Sequence, residues 1–329
     1  MTVLSIAVIQ GGPSTEAEVS RASAKGIADA LVQVGHRVTK LELDAMLGET
    51  LRVGGFDVVF PIVHGEVGED GCIQGLLEVL QLPYVGSGVL ASALSMDKGT
   101  SRVLFQEAGL PCAKGLRLSR QSVATAAARA RSEVGARVVV KPAHHGSAIG
   151  VTRIEAGDPI DAVERAFEIV FAIDDTAIVE HYAKGREATC GVLDLGGGPV
   201  ALPPTEILTP YDPFYTYQAR YVAGRSVHEC PPKWSSELIV KVQAVALGAF
   251  RALGCRDLAR ADLIVGDEGD PDCVTLLEVN TLPGFTSTSL FPEEAAIFGI
   301  PMVELCDRLA RRAHLRGPSP RQVALALPT

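Results

Sequence analysis

The chain predicts an α/β fold, a parallel sheet covered by helices in the first third and a mixture of longer strands and helices after it. Three observations predict this class. A short apolar run, Leu4 to Ile9, passes through Gly11-Gly12 into a stretch with helical spacing, which is a βα unit. Two further β-prone runs, His36 to Leu43 and Phe56 to Val63, continue the alternation. The 329 residues are 47% hydrophobic, with no internal repeat, the composition of a globular protein of two or three domains.

In the first helix Val19, Ser23, Ile27, Ala30, Leu31 and Val34 recur at helical spacing, Thr15 and Glu18 form a capping-box pattern, and Gly35 ends it. A helix is expected from Met96-Asp97-Lys98 to about Ala108. The middle region holds strands at Arg137–Lys141 and Ala177–Glu180 with a helix between them. The final region has a strand near Thr189–Leu195, the turn Gly196-Gly197-Gly198, a long helix over Ser235–Leu253 and two closing strands. The tail from Arg316 to Thr329 opens with Gly and two prolines and reads as an appendage.

Composition removes several function classes. A net charge of -9 and a pI near 5.3 oppose a nucleic-acid surface, whose footprint is basic. No apolar stretch approaches the roughly 20 residues of a membrane span. The N-terminus lacks a basic start and runs into a turn, so it reads as a first strand and not a signal peptide. Seven cysteines, odd in number, scattered and without a CxxC pair, predict reduced thiols in the core of a cytoplasmic protein.

The most informative segment is TLLEVNTLPG (275–284), apolar and β-prone yet with Glu278 and Asn280 two residues apart, hence on one strand face. The preceding strand, Leu258–Val265, carries Arg260 and Asp262 in the same way, and Gly266–Asp272 is a turn. Antiparallel pairing about a turn near Asp270 sets Asp262 opposite Glu278 and Arg260 opposite Asn280. Facing carboxylates repel unless a cation lies between them. Asp, Glu and Asn are hard oxygen ligands that suit Mg²⁺ held together with phosphates, and Arg260 adds a permanently charged fork. The alternative is a solvated sheet face with incidental charges.

Val138–Val151 reads as a buried strand that ends in Lys141 and opens into a loop with Gly146, Ser147 and Gly150. Glycines there let backbone N–H groups approach an anion, and Ser147 adds a hydroxyl. A plain hairpin turn explains the loop equally well. It is no Walker A loop, and Gly11-Gly12 begins no GxGxxG. His144 and His145 have no ligand-spaced partners and read as loop residues. The strand Ala177–Tyr182, leading to Glu187, fits a base-and-ribose lining or an ordinary strand end.

Taken together the segments resemble the ATP-grasp superfamily and, within it, the D-alanine:D-alanine ligase family. Eight motifs fall in family order up to about residue 312: GGPSTEAEVS (11–20), HGEVGEDGCIQGLLEVLQLPYVGS (64–87), SMDK (95–98), VKPAHHGSAIG (140–150), VEHYAKGRE (179–187), FYTYQARY (214–221), LARAD (258–262) and LLEVNTLPGFTSTSL (276–290). The resemblance implies an ATP-grasp fold of three subdomains, with an N-terminal substrate-binding domain at 1–98, a central subdomain at 99–185, a C-terminal catalytic subdomain at 186–315 and a tail at 316–329. It implies ATP between the latter two, and two Mg²⁺ ions, replaceable by Mn²⁺.

Residue by residue, the resemblance matches Lys98 and Lys141 to the lysines on the ATP phosphates, and the loop from Gly146 through Ser147 to Gly150 to the lid over them. Glu180, His181 and Ala183 match the adenine lining, and Glu187 the ribose contact. Asp262, Glu278 and Asn280 match the Mg²⁺ ligands. Glu16 matches the acceptor of the first D-alanine's ammonium, with Ser147 and Tyr221 linking it to a closing loop at 209–224. Arg260 and the N–H of Gly284 match the oxyanion donors. Ser289 and Leu290 match the second substrate's carboxylate site, and His64 lines the pocket. Ala148, His181, Arg220, Thr216 and Gln218 depart from the usual residues; Arg220 stands beside the second substrate where a lysine is usual, and its planar fork is not equivalent. The implied activity is ATP-dependent joining of two D-alanines through an acyl phosphate, for peptidoglycan precursor synthesis, with no nucleic-acid or membrane partner and a homodimer as in relatives. The alternatives are a ligase of the same mechanism for another amino-acid pair, kept open by Arg220, and an inactive ATP-binding protein.

Overall fold

The computed structural model describes residues 2–212, 214–222, 224–270 and 272–318, without the side chains of Tyr217 and Tyr221. In chain order β1 (Ser5–Gln10), α1 (Ala17–Gln33), β2 (Arg37–Glu42), α2 (Leu47–Val53), β3 (Val58–Pro61), α3 (Cys72–Leu80) and α4 (Val89–Met96) form the first layer system. The sheet order is β2-β1-β3, all parallel, as the alternation predicts. The expected capping box does not form: α1 starts at Ala17 with no side-chain cap, and Glu18 instead pairs with Arg21 at 2.5 Å.

Helix α5 (Lys98–Glu107) follows, capped by the Asp97 side chain, which accepts the Thr100 N–H. The second sheet comprises β4 (Gly115–Ser119), β5 (Val138–Pro142), β6 (Thr152–Ile154) and β7 (Thr176–His181), covered by α6 (Val123–Arg129), a π-helical turn at Ala130–Val134 and α7 (Ile160–Ile173). Its order is β4-β7-β5-β6, and every neighbour is antiparallel.

The third sheet contains β8 (Arg186–Leu193), β9 (Val200–Ala201), β10 (Thr205–Leu208), β11 (Val227–Glu229), β12 (Leu258–Val265) and β13 (Val274–Asn280). Its order is β11-β10-β8-β12-β13, with β9 beside β8. Helices α8 (Tyr217–Tyr221), α9 (Ser236–Ala252), α10 (Leu290–Ile297) and α11 (Met302–Arg316) complete the chain. One face of this sheet is sealed by α9, with Val242, Ala246, Ala249 and Phe250 buried, and by Phe105 of α5.

The far end of the chain packs back on its start. Leu305, Leu309 and Ala313 of α11 share a core with Leu4, Ile27, Leu31 and Phe60. Buried His36 joins this seam, its Nε2 2.7 Å from the Asp307 carboxylate. Arg316 closes α11, and does not open the tail: its guanidinium holds the buried Asp257 carboxylate at 2.5 and 2.9 Å. The rest of the expected tail, from residue 319, lies outside the described residues. Phe285 is wedged between Phe60 of β3, at 5.8 Å edge-on, and Phe291 of α10, at 6.0 Å. That cluster fixes the loop after β13 against the first sheet. All seven cysteines are free, but Cys72 is exposed and Cys112 and Cys230 are half-buried, so the expectation of core positions holds for only four. Among the described residues no helix is long and apolar enough to cross a membrane.

Candidate active site

The hairpin of β12 and β13 pairs Arg260 with Asn280 and Asp262 with Glu278, the register expected, with a bulge after Asp262 that brings Leu263 opposite Leu276. The bulge leaves the apolar half of the ribbon packed while its polar end turns to the cavity. The electrostatic need for a cation is met first by the protein. Arg260 donates to Asp262 from Nε at 2.8 Å and from an η nitrogen at 2.9 Å. Thr189 donates to the same carboxylate at 3.0 Å and Asn280 at 3.3 Å. Lys98 lies 3.4 Å from Glu278.

Burial opposes ionisation of both acids, yet both are held below their ordinary pKa: Asp262 by Arg260, and Glu278 by Lys98 and Lys141 against the repulsion of Asp262. The guanidinium of Arg260 is in turn held charged, its pKa raised by Asp262 despite burial. Among the described residues no three His, Cys, Asp or Glu side chains gather as a cage. The donor set is two carboxylates and an amide on one face, which fits a Mg²⁺ that completes its shell with water and phosphate oxygens.

Two cavities meet at this ribbon. The first lies between the second and third sheets and is lined by Lys98, Lys141, Gly146, Glu180, His181, Ala183, Glu187, Arg220 and Glu278. Lys141, at the end of β5, pairs with Glu180 of the neighbouring β7 at 2.7 Å. Burial works against its charge, but Glu180 and Glu278 raise its pKa, so it stays an ammonium. Lys98 donates from Nζ to the His145 carbonyl at 2.6 Å, which brings the loop after β5 down to the start of α5. Ser147 and Ala148 in that loop sit at φ 50° and 56°, a left-handed conformation that strains L residues and gathers at functional sites. Tyr182 is stacked beneath Arg137 and Arg153, at 4.0 and 4.3 Å. Burial raises the pKa of Glu187, which accepts the Tyr215 N–H at 2.8 Å and so ties the 209–224 segment to the cavity wall.

The second cavity, of 370 Å³, is lined by Glu16, His64, Ser147, Arg260, Asn280, Gly284, Ser289 and Leu290 and shares Gly146, Arg220 and Glu278 with the first. Ser147 donates a short hydrogen bond to Glu16, which joins the loop after β5 to the first layer system. Burial lowers the pKa of His64, and Arg260 adds to that against the pull of Glu16, so its imidazole is neutral. Among the described residues its buried Nε2 has no hydrogen-bond partner. A Cβ at Gly284 would stand 2.8 Å from the Ser289 hydroxyl, so a side chain there would force Ser289 to shift.

Thus every expected site residue but two lines one of these cavities. Asp262 lines neither cavity, while Arg260, which its carboxylate holds, lines the second. The side chain of Tyr221, which ends α8, falls outside the described residues. Thr216, which departs from the usual acidic residue, caps α8 by accepting the Ala219 N–H, a role Thr and Asp share. Arg220 lies over the Tyr215 ring at 4.3 Å. Sequence reasoning missed Glu69, which lines the second cavity and is pushed up to about 8 by burial and by Glu16. It also missed Tyr215, which faces both cavities. Both stand inside quoted motifs, but nothing in their spacing marks them as facing a ligand.

Comparison with known proteins decides the family. The model of the D-ala D-ala ligase C-terminus matches residues 104–311 and that of the N-terminus residues 45–87. The chain belongs to the D-alanine–D-alanine ligase family. A D-alanine–D-alanine ligase of Parvibaculum lavamentivorans is 40% identical over 310 residues, 94% of this chain and 97% of the relative. That of Pelotomaculum thermopropionicum is 37% identical over 315 residues, 94% and 96% of the two chains. Among solved structures, the ligase of Bacillus anthracis superposes with a TM-score of 0.80 at 30% identity, covering 95% of this chain and 98% of that one. The VanG D-Ala:D-Ser ligase of Enterococcus faecalis gives 0.80 at 28% identity, covering 95% and 100%. The fold is therefore the ATP-grasp architecture of these ligases, as the resemblance implies.

Proposed function

We propose that the chain joins two D-alanines to D-alanyl-D-alanine at the expense of ATP, supplying a peptidoglycan precursor. The observation that carries this reading is the meeting of the two cavities at Gly146, Tyr215, Arg220 and Glu278 in a member of the ligase family. A relative solved with ATP, from Bacillus anthracis, shares the fold at a TM-score of 0.78 over 95% of this chain, which supports ATP in the first cavity.

In this reading Lys98 and Lys141 bind the phosphates, while Glu180, His181 and Ala183 line adenine and Glu187 the ribose. Asp262, Glu278 and Asn280 would hold two Mg²⁺ ions, which would shield the charge of the phosphates. Glu16, oriented by Ser147, accepts the ammonium of the first D-alanine. The carboxylate oxygen of this D-alanine attacks the γ-phosphorus, forming the acyl phosphate and releasing ADP. The amine of the second D-alanine, whose carboxylate rests at Ser289 and Leu290, then attacks the acyl carbon. The C–N bond forms, the bond to the phosphate oxygen breaks, phosphate leaves and the amine gives up a proton. Arg260 and the Gly284 N–H stabilise the tetrahedral oxyanion, donors of a kind worth about 3–4 kcal/mol in related chemistry. Closure of the 209–224 segment keeps water from the acyl phosphate. A cytoplasmic location goes with the reading, as does a homodimer through the first layer system. Val79 and Leu90, 74% and 71% exposed on α3 and α4, support the latter.

A second reading, D-alanine joined to another amino acid, is favoured by Arg220 beside the second cavity and by the equal likeness to a D-Ala:D-Ser ligase. Phosphate release with Mg-ATP separates the readings. Strong dependence on D-alanine alone supports the first, a requirement for a different second amino acid supports the second, and ATP affinity without any release refutes both.

A further inference from the structure

Glu294, in α10, is fully buried, and no cationic side chain among the described residues lies within ion-pair distance of it. Its two oxygens are held from two different strands. Oε2 accepts the Gly191 N–H of β8 at 2.6 Å, and Oε1 accepts the Thr205 hydroxyl of β10 at 2.9 Å. Gly191 sits where the neighbour of β8 changes: β10 pairs with it through Thr189, and β9 from Val192 onward. The N–H between these ladders would be an orphan without the carboxyl.

The location relates this bond to the chemistry. Gly191 is the β8 partner of Arg260, so the two share a sheet face. A Cβ at residue 191 would stand 2.7 Å from the Glu294 carboxyl, and only glycine admits this approach. The helix that carries Glu294 begins at the Ser289 cap, where Ser289 and Leu290 line the second cavity. One side chain therefore connects the strand next to Arg260 with the helix end at the far wall of that cavity. An apolar residue would fill the same space but would not set the register of helix on sheet, because hydrophobic contact has no direction. Two hydrogen bonds from separate strands do set it.

We propose that Glu294 is a positioning residue for the second amino-acid substrate: by tying α10 to β8 and β10, it sets the separation between the Arg260 guanidinium and the helix end at Ser289 and Leu290. This rests on the reading that the second D-alanine binds at that helix end. Loosening the tie misaligns the incoming amine and leaves the first D-alanine and ATP as they were.

The test compares Glu294→Met, which keeps the volume and loses both acceptors, with Glu294→Gln, which retains an oxygen for Gly191 and an amide for Thr205. In steady-state kinetics resolving both D-alanine constants, the Met variant should raise the second KM about tenfold, well within the effect of an ångström of misplacement. The first D-alanine and ATP constants should stay within about twofold, and the Gln variant should restore the second KM to within about threefold of the parent. Phe291→Leu, which removes packing from the same helix, should lower Tm without raising that constant selectively. Thr205→Val, cutting one tie of two, should raise it about threefold, and decides the matter if the Met variant does not fold. Equal change in both D-alanine constants, or a Phe291→Leu effect equal to that of Glu294→Met, overturns the proposal. A parent chain that releases no phosphate with D-alanine overturns the underlying reading instead.

Discussion

Consider Asp262→Asn. In the parent chain the Asp262 carboxylate accepts two hydrogen bonds from Arg260, at 2.8 and 2.9 Å, and one from Thr189 at 3.0 Å. The side chains of the pair are only 11% and 13% exposed. Removing one partner of a buried pair costs about 3–5 kcal/mol, mostly because the other charge is left uncompensated. Asparagine keeps one acceptor oxygen and its other group is a donor facing donors, so the loss should fall near the lower end, about 3 kcal/mol. With an unfolding entropy of about 2.1 cal/mol/K per residue, the 329 residues give about 1.4 °C per kcal/mol, so Tm should fall by about 4 °C. Turnover should fall further than stability suggests, since the same carboxylate is assigned to Mg²⁺ and aligns the oxyanion donor. A thousandfold loss of kcat corresponds to about 4 kcal/mol. Scanning calorimetry and coupled ADP release at saturating Mg-ATP and D-alanine measure the two effects. A folded variant with turnover within tenfold of the parent would refute the placement of Asp262 at the reacting centre, and an unchanged Tm would refute the weight given to the Arg260 pair.

Three further outcomes are expected. Glu16→Gln should raise the KM of the first D-alanine by about tenfold, since a charge-assisted bond to the ammonium becomes a neutral one; isothermal titration of D-alanine checks it, and unaltered affinity counts against the assignment. Arg220→Lys should change the second D-alanine constant more than the first, because the guanidinium stacked on Tyr215 is replaced by a point charge; equal effects on both would remove it from the second site. Glu294 is pushed up to about 8 by burial, from an ordinary 4.5, so the folded chain retains a proton that the unfolded chain releases. Its stabilising effect is complete below about pH 4.5 and is lost as pH rises to about 8. Glu294→Gln does not titrate, so its Tm relative to the parent should rise between pH 5 and 8, and parallel curves would contradict the buried proton.

The register of the β12–β13 hairpin was readable before any coordinates because three constraints coincide: two alternating strands, one short turn, and charges that a core rejects. The same logic failed at Thr15 and Glu18. A capping box is a local pattern, and here Glu16, which follows Thr15, is turned instead toward Ser147, more than a hundred residues away. Strands β6, β9 and β11 went unseen because two or three residues carry no period. Glu69 and Glu294 are ordinary helix-region or loop acids in the sequence; their burial, which raises both to about 8, is created by elements distant along the chain.

What the sequence by itself determined is the class of the fold, the ligand types in each motif and the face each one occupies, because side-chain period and turn chemistry are local properties. Only the tertiary structure decided which cations answer which acids. Lys98 comes to Glu278, Arg260 to Asp262 and Lys141 to Glu180, and electrostatic energy depends on separations of a few ångströms that chain folding alone sets.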